Sequence, residues 1–196
     1  MDPEPPPNGR TRRTARPLDG RRLEELALAY VARFATSGAK LQRYLARKLR
    51  ERGWEGADQP DLPALVTRYI DLGYIDDATF ARSRSGSLLR RGYGPQRISQ
   101  ALDEAGIAEE IRRDIAPDET ARRRAALTLA RRRRFGPFAA GHGADEPIDP
   151  GLREKQLAAM LRAGHSMAHA RAILDQVDQG AAEDWAAEWE DQDNDG

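Results

Sequence analysis

Few side chains in this sequence are of a type and spacing that could do chemistry. His165 and His169 stand four apart, a spacing that can place two imidazoles on one helix face. Zinc needs at least a third protein ligand, and the remaining histidine, His142, lies in a glycine-rich loop. Asp76-Asp77 resembles a catalytic carboxylate pair, yet a helix N-cap followed by a first-turn acid explains both residues without catalysis. Gly92-x-Gly94-x-x-Arg97 lacks the third glycine and the preceding strand of a dinucleotide fingerprint, and no GxxxxGK phosphate loop occurs. With no cysteine there is no thiol chemistry and no disulfide, and no serine, histidine and acid arrangement stands out. The sequence therefore predicts no catalytic residue, no cofactor-binding residue and no metal ligand, and an enzyme is the least favoured class.

The remaining chemistry is charge. Of 32 basic residues all but Lys40, Lys48 and Lys155 are arginine, whose guanidinium fork bonds phosphate and carboxylate bidentately. Arg82, Arg84, Arg90, Arg91 and Arg97 cluster around residues 82–97, and a second run, Arg122 to Arg124 and Arg131 to Arg134, has no acid between Ala121 and Phe135. Consecutive arginines point all round a helix, so some must be merely solvated. Arg124 and Arg131 are seven apart and Arg122 and Arg133 eleven apart, so each pair shares a side. The candidate partner surface is thus Arg82, Arg84, Arg90, Arg91, Arg97, Arg122, Arg124, Arg131 and Arg133, facing either a DNA backbone or an acidic protein.

These arginines are carried by helices. Gly73, Gly92 and Gly106 each follow a run of helical spacing and precede a large apolar residue (Tyr74, Tyr93, Ile107), the pattern of a left-handed C′ glycine with an apolar residue folding back on the last turn. Upstream, Leu23, Leu26, Ala27, Tyr30, Val31 and Phe34 form one apolar stripe. Leu41, Tyr44, Leu45 and Leu49 form a second after a Ser37 cap, and Leu62, Leu65, Val66, Tyr69 and Ile70 a third. The unit then repeats: Leu45-x3-Leu49-x3-Gly53-Trp54 and Ile98-x3-Leu102-x3-Gly106-Ile107 are one pattern 53 residues apart. A third, more worn copy begins at Asp118. It has helices around Leu157, Met160 and Leu161 and, after Ser166, around Ala170, Ile173, Leu174 and Val177.

The expected fold is all-α, an elongated tandem array of three three-helix modules with disordered termini. Residues 1–18 hold five prolines and four arginines and form a basic, disordered arm. Module 1 spans 19–74, module 2 spans 75–117, and module 3 spans 118–180 with a Gly/Pro-rich loop at 136–151. Residues 181–196 form an acidic tail, expected to be disordered alone. From Glu183 onward there are seven carboxylates and no base, so a chain of net charge zero divides into a body of +7 and a tail of −7. Trp185 and Trp189 would share a side if that tail became helical, which would let it fold back on the arginines.

The segment Gly73-Tyr74-Ile75-Asp76-Asp77 with Phe80-Ala81, followed by Arg91-Gly92-Tyr93-Gly94-Pro95 with Arg97-Ile98 and Leu102, resembles the signature of the RecX family of recombinase regulators. Related spacing extends the resemblance over roughly Leu23 to Val177. The chain departs from the family pattern at His165, where an aromatic is expected after the glycine, and in the length of the 136–151 loop. The resemblance implies a non-enzymatic regulator that binds RecA recombinase nucleoprotein filaments and mostly inhibits them in DNA repair and the SOS response. The alternative is a helical module that binds single- or double-stranded nucleic acid directly, without reading sequence. Six per cent aromatic and 33% charged residues, with a mean hydropathy of −0.76, leave little for a thick core. Without an apolar leader or a long apolar run the expectation is a cytoplasmic monomer that touches no membrane and takes no cofactor.

Overall fold

The computed structural model describes residues 16–139 and 149–188, and these are helical throughout apart from turns and one isolated bridge. Module 1 comprises α1 (Gly20–Arg33), α2 (Gly38–Arg52) and α3 (Leu62–Asp71). Module 2 comprises α4 (Asp77–Arg90), α5 (Pro95–Asp103) and α6 (Glu109–Asp114). Module 3 comprises α7 (Glu119–Arg133), α8 (Pro150–Arg162), α9 (Met167–Leu174) and α10 (Gln179–Ala187), with a 3-10 turn at Gly136–Phe138.

Each start is written locally. Asp19, Ser37, Asp61, Asp76, Asp118, Asp149, Ser166 and Asp178 all accept a hydrogen bond from a first-turn amide of the helix they precede. Such a cap stabilises a helix by about 1 kcal/mol. The ends are written by glycine: Gly73, Gly92, Gly106 and Gly164 have φ between +72° and +91°, a region that costs an L side chain. The buried apolar residues form three clusters, one per module. Leu41, Leu45 and Val66 anchor the first cluster, Leu88, Ile98 and Leu102 the second, and Leu129, Met160, Ile173 and Leu174 the third.

Two stretches expected to be disordered are partly built in. Leu18, assigned to the arm, is fully buried. Its amide donates to the Gly53 carbonyl (3.0 Å), and its carbonyl accepts from the Glu55 amide (2.8 Å). One leucine among prolines and arginines suffices to pin the chain to module 1. The remainder of the arm, residues 1–15, lies outside the described residues. At the other end the first part of the acidic tail is α10, capped by Asp178 and presenting Ala182 and Ala186 to the third core. A boundary at 180/181 therefore falls inside a helix. Trp189 and His142 lie outside the described residues.

Candidate partner-binding surface

The modules are joined by hydrogen bonds to the main chain, made by side chains at one junction and by backbone amides at the other. Between modules 1 and 2, the buried Ser37 Oγ donates to the Ala105 carbonyl (2.6 Å), and Asp77 Oδ1 accepts from the Gly38 amide (2.9 Å). Asp76 keeps the cap role expected of it. The Thr79 hydroxyl and amide hydrogen bonds hold its carboxyl below the ordinary range.

Between modules 2 and 3 the α4–α5 turn lies directly against the α8–α9 turn. The Gly94 amide donates to the Ala163 carbonyl (2.9 Å) and the Gln96 amide to the Gly164 carbonyl (3.2 Å). Both glycines are needed for this approach. A Cβ on Gly94 would sit 2.5 Å from the His165 nitrogen, and one on Gly164 would sit 2.7 Å from the Arg97 Cβ. His165, in the slot where Trp54 and Ile107 follow their glycines, is fully buried and places Nε2 3.0 Å from the Gly92 carbonyl. Burial pushes this imidazole down from its ordinary pKa, the Gly92 hydrogen bond opposes that, and nearby His169 adds to it. The neutral tautomer with its proton on Nε2 donates to Gly92, while the buried Nδ1 has no partner. A polar tie thus replaces the apolar contact of the other modules.

His165 and His169 do not share a helix face, because α9 begins after Ser166. His169 Nε2 lies 2.8 Å from Glu119 Oε1, and its ring meets Trp185 edge-on. Burial pushes the Glu119 carboxyl up, but hydrogen bonds from His169 and Arg123 outweigh this and hold it low. Among the described residues no three His, Cys, Asp or Glu side chains converge as a metal site would require.

The structure sorts the candidate arginines into different settings. Arg91 and Arg133 meet in a cleft of about 300 Å³ at the junction of modules 2 and 3, beside Tyr93 and Phe135. Arg132 and Arg162 line the same cleft, and Arg132 also donates to the Arg91 carbonyl (2.7 Å). Arg90 and Arg124 line a separate depression with Asp118. Arg82 and Arg84 are exposed on α4, where Arg82 reaches Thr79 Oγ1 (3.2 Å). Arg97 is exposed and bonds Gln100 (2.7 Å). Arg122 folds back on the Pro117 carbonyl (2.7 Å), and Arg131 is ion-paired with Glu183 of α10. Of the eleven-residue pair on α7, Arg122 turns to the Pro117 carbonyl and Arg133 to the junction cleft.

Arg162 escaped the sequence reading, although it stands at a helix end just before Ala163-Gly164, much as Arg91 stands just before Gly92. Arg123 is also engaged, with Glu119 (3.0 Å), Glu188 (2.7 Å) and the Trp185 carbonyl (2.8 Å), and it lies 5.0 Å from the Trp185 ring.

Tandem modules of three or four helices, with arginines collected where two modules meet, define an all-helical tandem-repeat protein. A family model described as "RecX, second three-helix domain" matches residues 76–114, which are α4 to α6. The chain is 32% identical over 161 residues to the regulatory protein RecX of Myxococcus xanthus, covering 78% of this chain and 84% of that one. It is 33% identical over 139 residues to the regulatory protein RecX of Halorhodospira halophila, covering 70% and 80%. The fold resembles the crystal structure of RecX from Lactobacillus salivarius, with a TM-score of 0.60 and 18% identity over 80% of this chain and 95% of that one. The chain belongs to the RecX family of regulatory proteins. Among the described residues no helix is long and apolar enough to cross a membrane.

Proposed function

We propose that this protein is a non-enzymatic regulator that binds along a RecA recombinase nucleoprotein filament in the cytoplasm and restrains its ATP turnover and strand exchange during DNA repair. Membership of the RecX family supports the choice of partner. The observation that carries the reading is the module 2–module 3 junction, where main-chain hydrogen bonds at Gly94 and Gln96 lock two repeats together and hold four arginines around one cleft. A rigid multi-repeat body with a cationic junction suits an extended partner that repeats its own acidic surface. Arg91, Arg132, Arg133 and Arg162 are the residues assigned to that contact, with Arg90 and Arg124 flanking it.

The test is the DNA-dependent ATPase of RecA filaments titrated with this protein. The expected result is inhibition below one copy per protomer, lost in Arg91→Glu/Arg133→Glu/Arg162→Glu with helicity unchanged, because exposed arginines contribute little to folding. Unchanged ATPase at equimolar protein, with co-sedimentation also absent, overturns the reading.

A further inference from the structure

A wide concavity lies in module 1, away from the junction and outside the segment that the family model matches. It is a groove of about 840 Å³ between α1 and α2. Its α1 wall carries Tyr30, Arg33 and Phe34, and its α2 wall carries Lys40, Arg43, Tyr44, Arg47 and Arg50. Three aromatic rings and five cations line it, and no carboxylate does.

The spacing on α2 is i, i+3, i+7 and i+10, so its four cations form one row along the helix. At 1.5 Å rise per residue the row is about 15 Å long. Between the walls the Tyr30 ring of α1 stacks on the Tyr44 ring of α2 with centroids 4.2 Å apart, and the Phe34 ring tilts against Tyr30 at 5.3 Å. Phe34 is 50% exposed, so much of its ring is open to solvent at the groove. Arg33 lies over the Phe34 ring at 5.6 Å and Arg47 over Tyr44 at 5.7 Å, so cations and rings alternate.

Some of this charge is spoken for. Arg47 pairs with Glu51 at the rim (3.0 Å), and Arg43 donates to the Glu104 carbonyl (2.8 Å). Among the described residues neither Arg33 nor Arg50 has a carboxylate within ion-pair distance. Lys40 lies over the Phe80 ring (4.8 Å); its ammonium pKa is pushed down first by burial and then by Arg84 and Arg43, a local excess of positive charge.

We propose that the α1–α2 groove is a binding site for single-stranded nucleic acid, with the α2 cations following the phosphates and Phe34, backed by the Tyr30–Tyr44 stack, receiving a base. A row of cations beside stacked rings is the arrangement that binds unpaired strands without reading sequence. A duplex hides its base faces and cannot use the rings. An acidic peptide would satisfy the cations and leave Phe34 uncovered. Arg84, on the neighbouring module, extends the row toward module 2. The site needs no recombinase, so it stands or falls independently of the filament reading.

The test is fluorescence anisotropy of labelled dT15 with the full chain and no recombinase, beside an abasic 15-mer, a 15-base-pair duplex and polyglutamate as competitors. The expected order is dT15 tighter than abasic strand, duplex and polyglutamate. Phe34→Ala weakens dT15 about ten-fold and leaves the abasic strand unchanged, as loss of one stacked base requires. Arg33→Glu/Arg50→Glu weakens both strands and lowers the salt slope by about 1.4, the value for two phosphate contacts on a single strand. Arg90→Glu/Arg91→Glu/Arg97→Glu leaves dT15 binding within two-fold. Duplex or polyglutamate binding tighter than dT15 overturns the proposal. So do wild-type affinity in Phe34→Ala and loss of dT15 binding in the module 2 triple reversal alone.

Discussion

Gly94→Ala tests whether the junction is held by backbone contact. Gly94 has φ −81° and ψ 171°, which alanine adopts freely, so no torsional penalty enters. The cost is steric: the new Cβ would lie 2.5 Å from the His165 nitrogen and nearer still to the Gly164 carbonyl, where ordinary contact begins near 3.4 Å. Relief needs a shift of about 1 Å between the two turns, enough to break the Gly94–Ala163 (2.9 Å) and Gln96–Gly164 (3.2 Å) hydrogen bonds. A buried polar group left unpaired costs about 1–3 kcal/mol, so the interface loses roughly 2–4 kcal/mol. That is a large share of a total of about 5–15 kcal/mol. The assay is native-state hydrogen exchange at the amides of residues 94 and 96, with a thermal melt followed by circular dichroism. Those amides should exchange 30- to 1000-fold faster, and the melt should fall by roughly 5–15 °C. The control is Gly73→Ala, where φ is +75° but nothing lies within 4 Å of the new Cβ, so only a local torsional cost applies. If Gly94→Ala melts like wild type with both amides still protected, the glycine is not there for close approach and the reasoning is wrong.

Other outcomes follow from single contacts. Ser37→Ala removes both the α2 cap and the bond to the Ala105 carbonyl, and should cost about 2–3 kcal/mol in a urea melt. His165 is held neutral in the fold, so the unfolded chain binds its proton at higher pH than the native one. Stability should therefore be fully present above about pH 6.5 and fall as the pH drops toward the lowered native pKa. Melts of His165→Gln should lose the part of that slope due to this residue. Deleting residues 183–196 removes seven carboxylates and releases Arg131 from Glu183, and should strengthen binding of a polyanion at low salt. The gain should shrink as salt screens the charges, and superimposable binding curves across a salt series would refute it.

Much of this fold is legible because its signals are local. The caps at Ser37, Asp61, Asp76, Asp118 and Ser166 and the glycines at 53, 73, 92, 106 and 164 mark helix ends through a few neighbouring atoms, and the structure places helix ends at those residues. What escapes is tertiary. Gly94 reads as a residue in a helix–helix turn, and nothing near it in sequence announces that its amide faces Ala163, 69 positions away. His165 stands where the repeat expects an apolar residue, and its tie to the Gly92 carbonyl is visible only once the two turns touch. The helix α10 was hidden by composition: a carboxylate-rich stretch looks disordered until Arg123 and Arg131 supply the countercharge and Ala182 and Ala186 a small face against α7.

The arginines show most clearly why charge counting falls short of a site. Around α7 the chain consumes its own cations: Arg122 on the Pro117 carbonyl, Arg123 on Glu119 and Glu188, Arg131 on Glu183, and Arg132 on the Arg91 carbonyl. Among the described residues Arg133 has no such partner, and it gains company because the junction brings Arg91 and Arg162 to the same cleft. The surface therefore depends on backbone geometry that carries no charge at all. Gly94→Ala should weaken filament binding although every arginine is intact, whereas Arg133→Glu/Arg162→Glu should weaken it with the melt unchanged. Measured as co-sedimentation with RecA filaments and as thermal melts, the two variants separate position from charge. A Gly94→Ala protein that has lost its junction protection but binds filaments like wild type would place the partner contact on a single module.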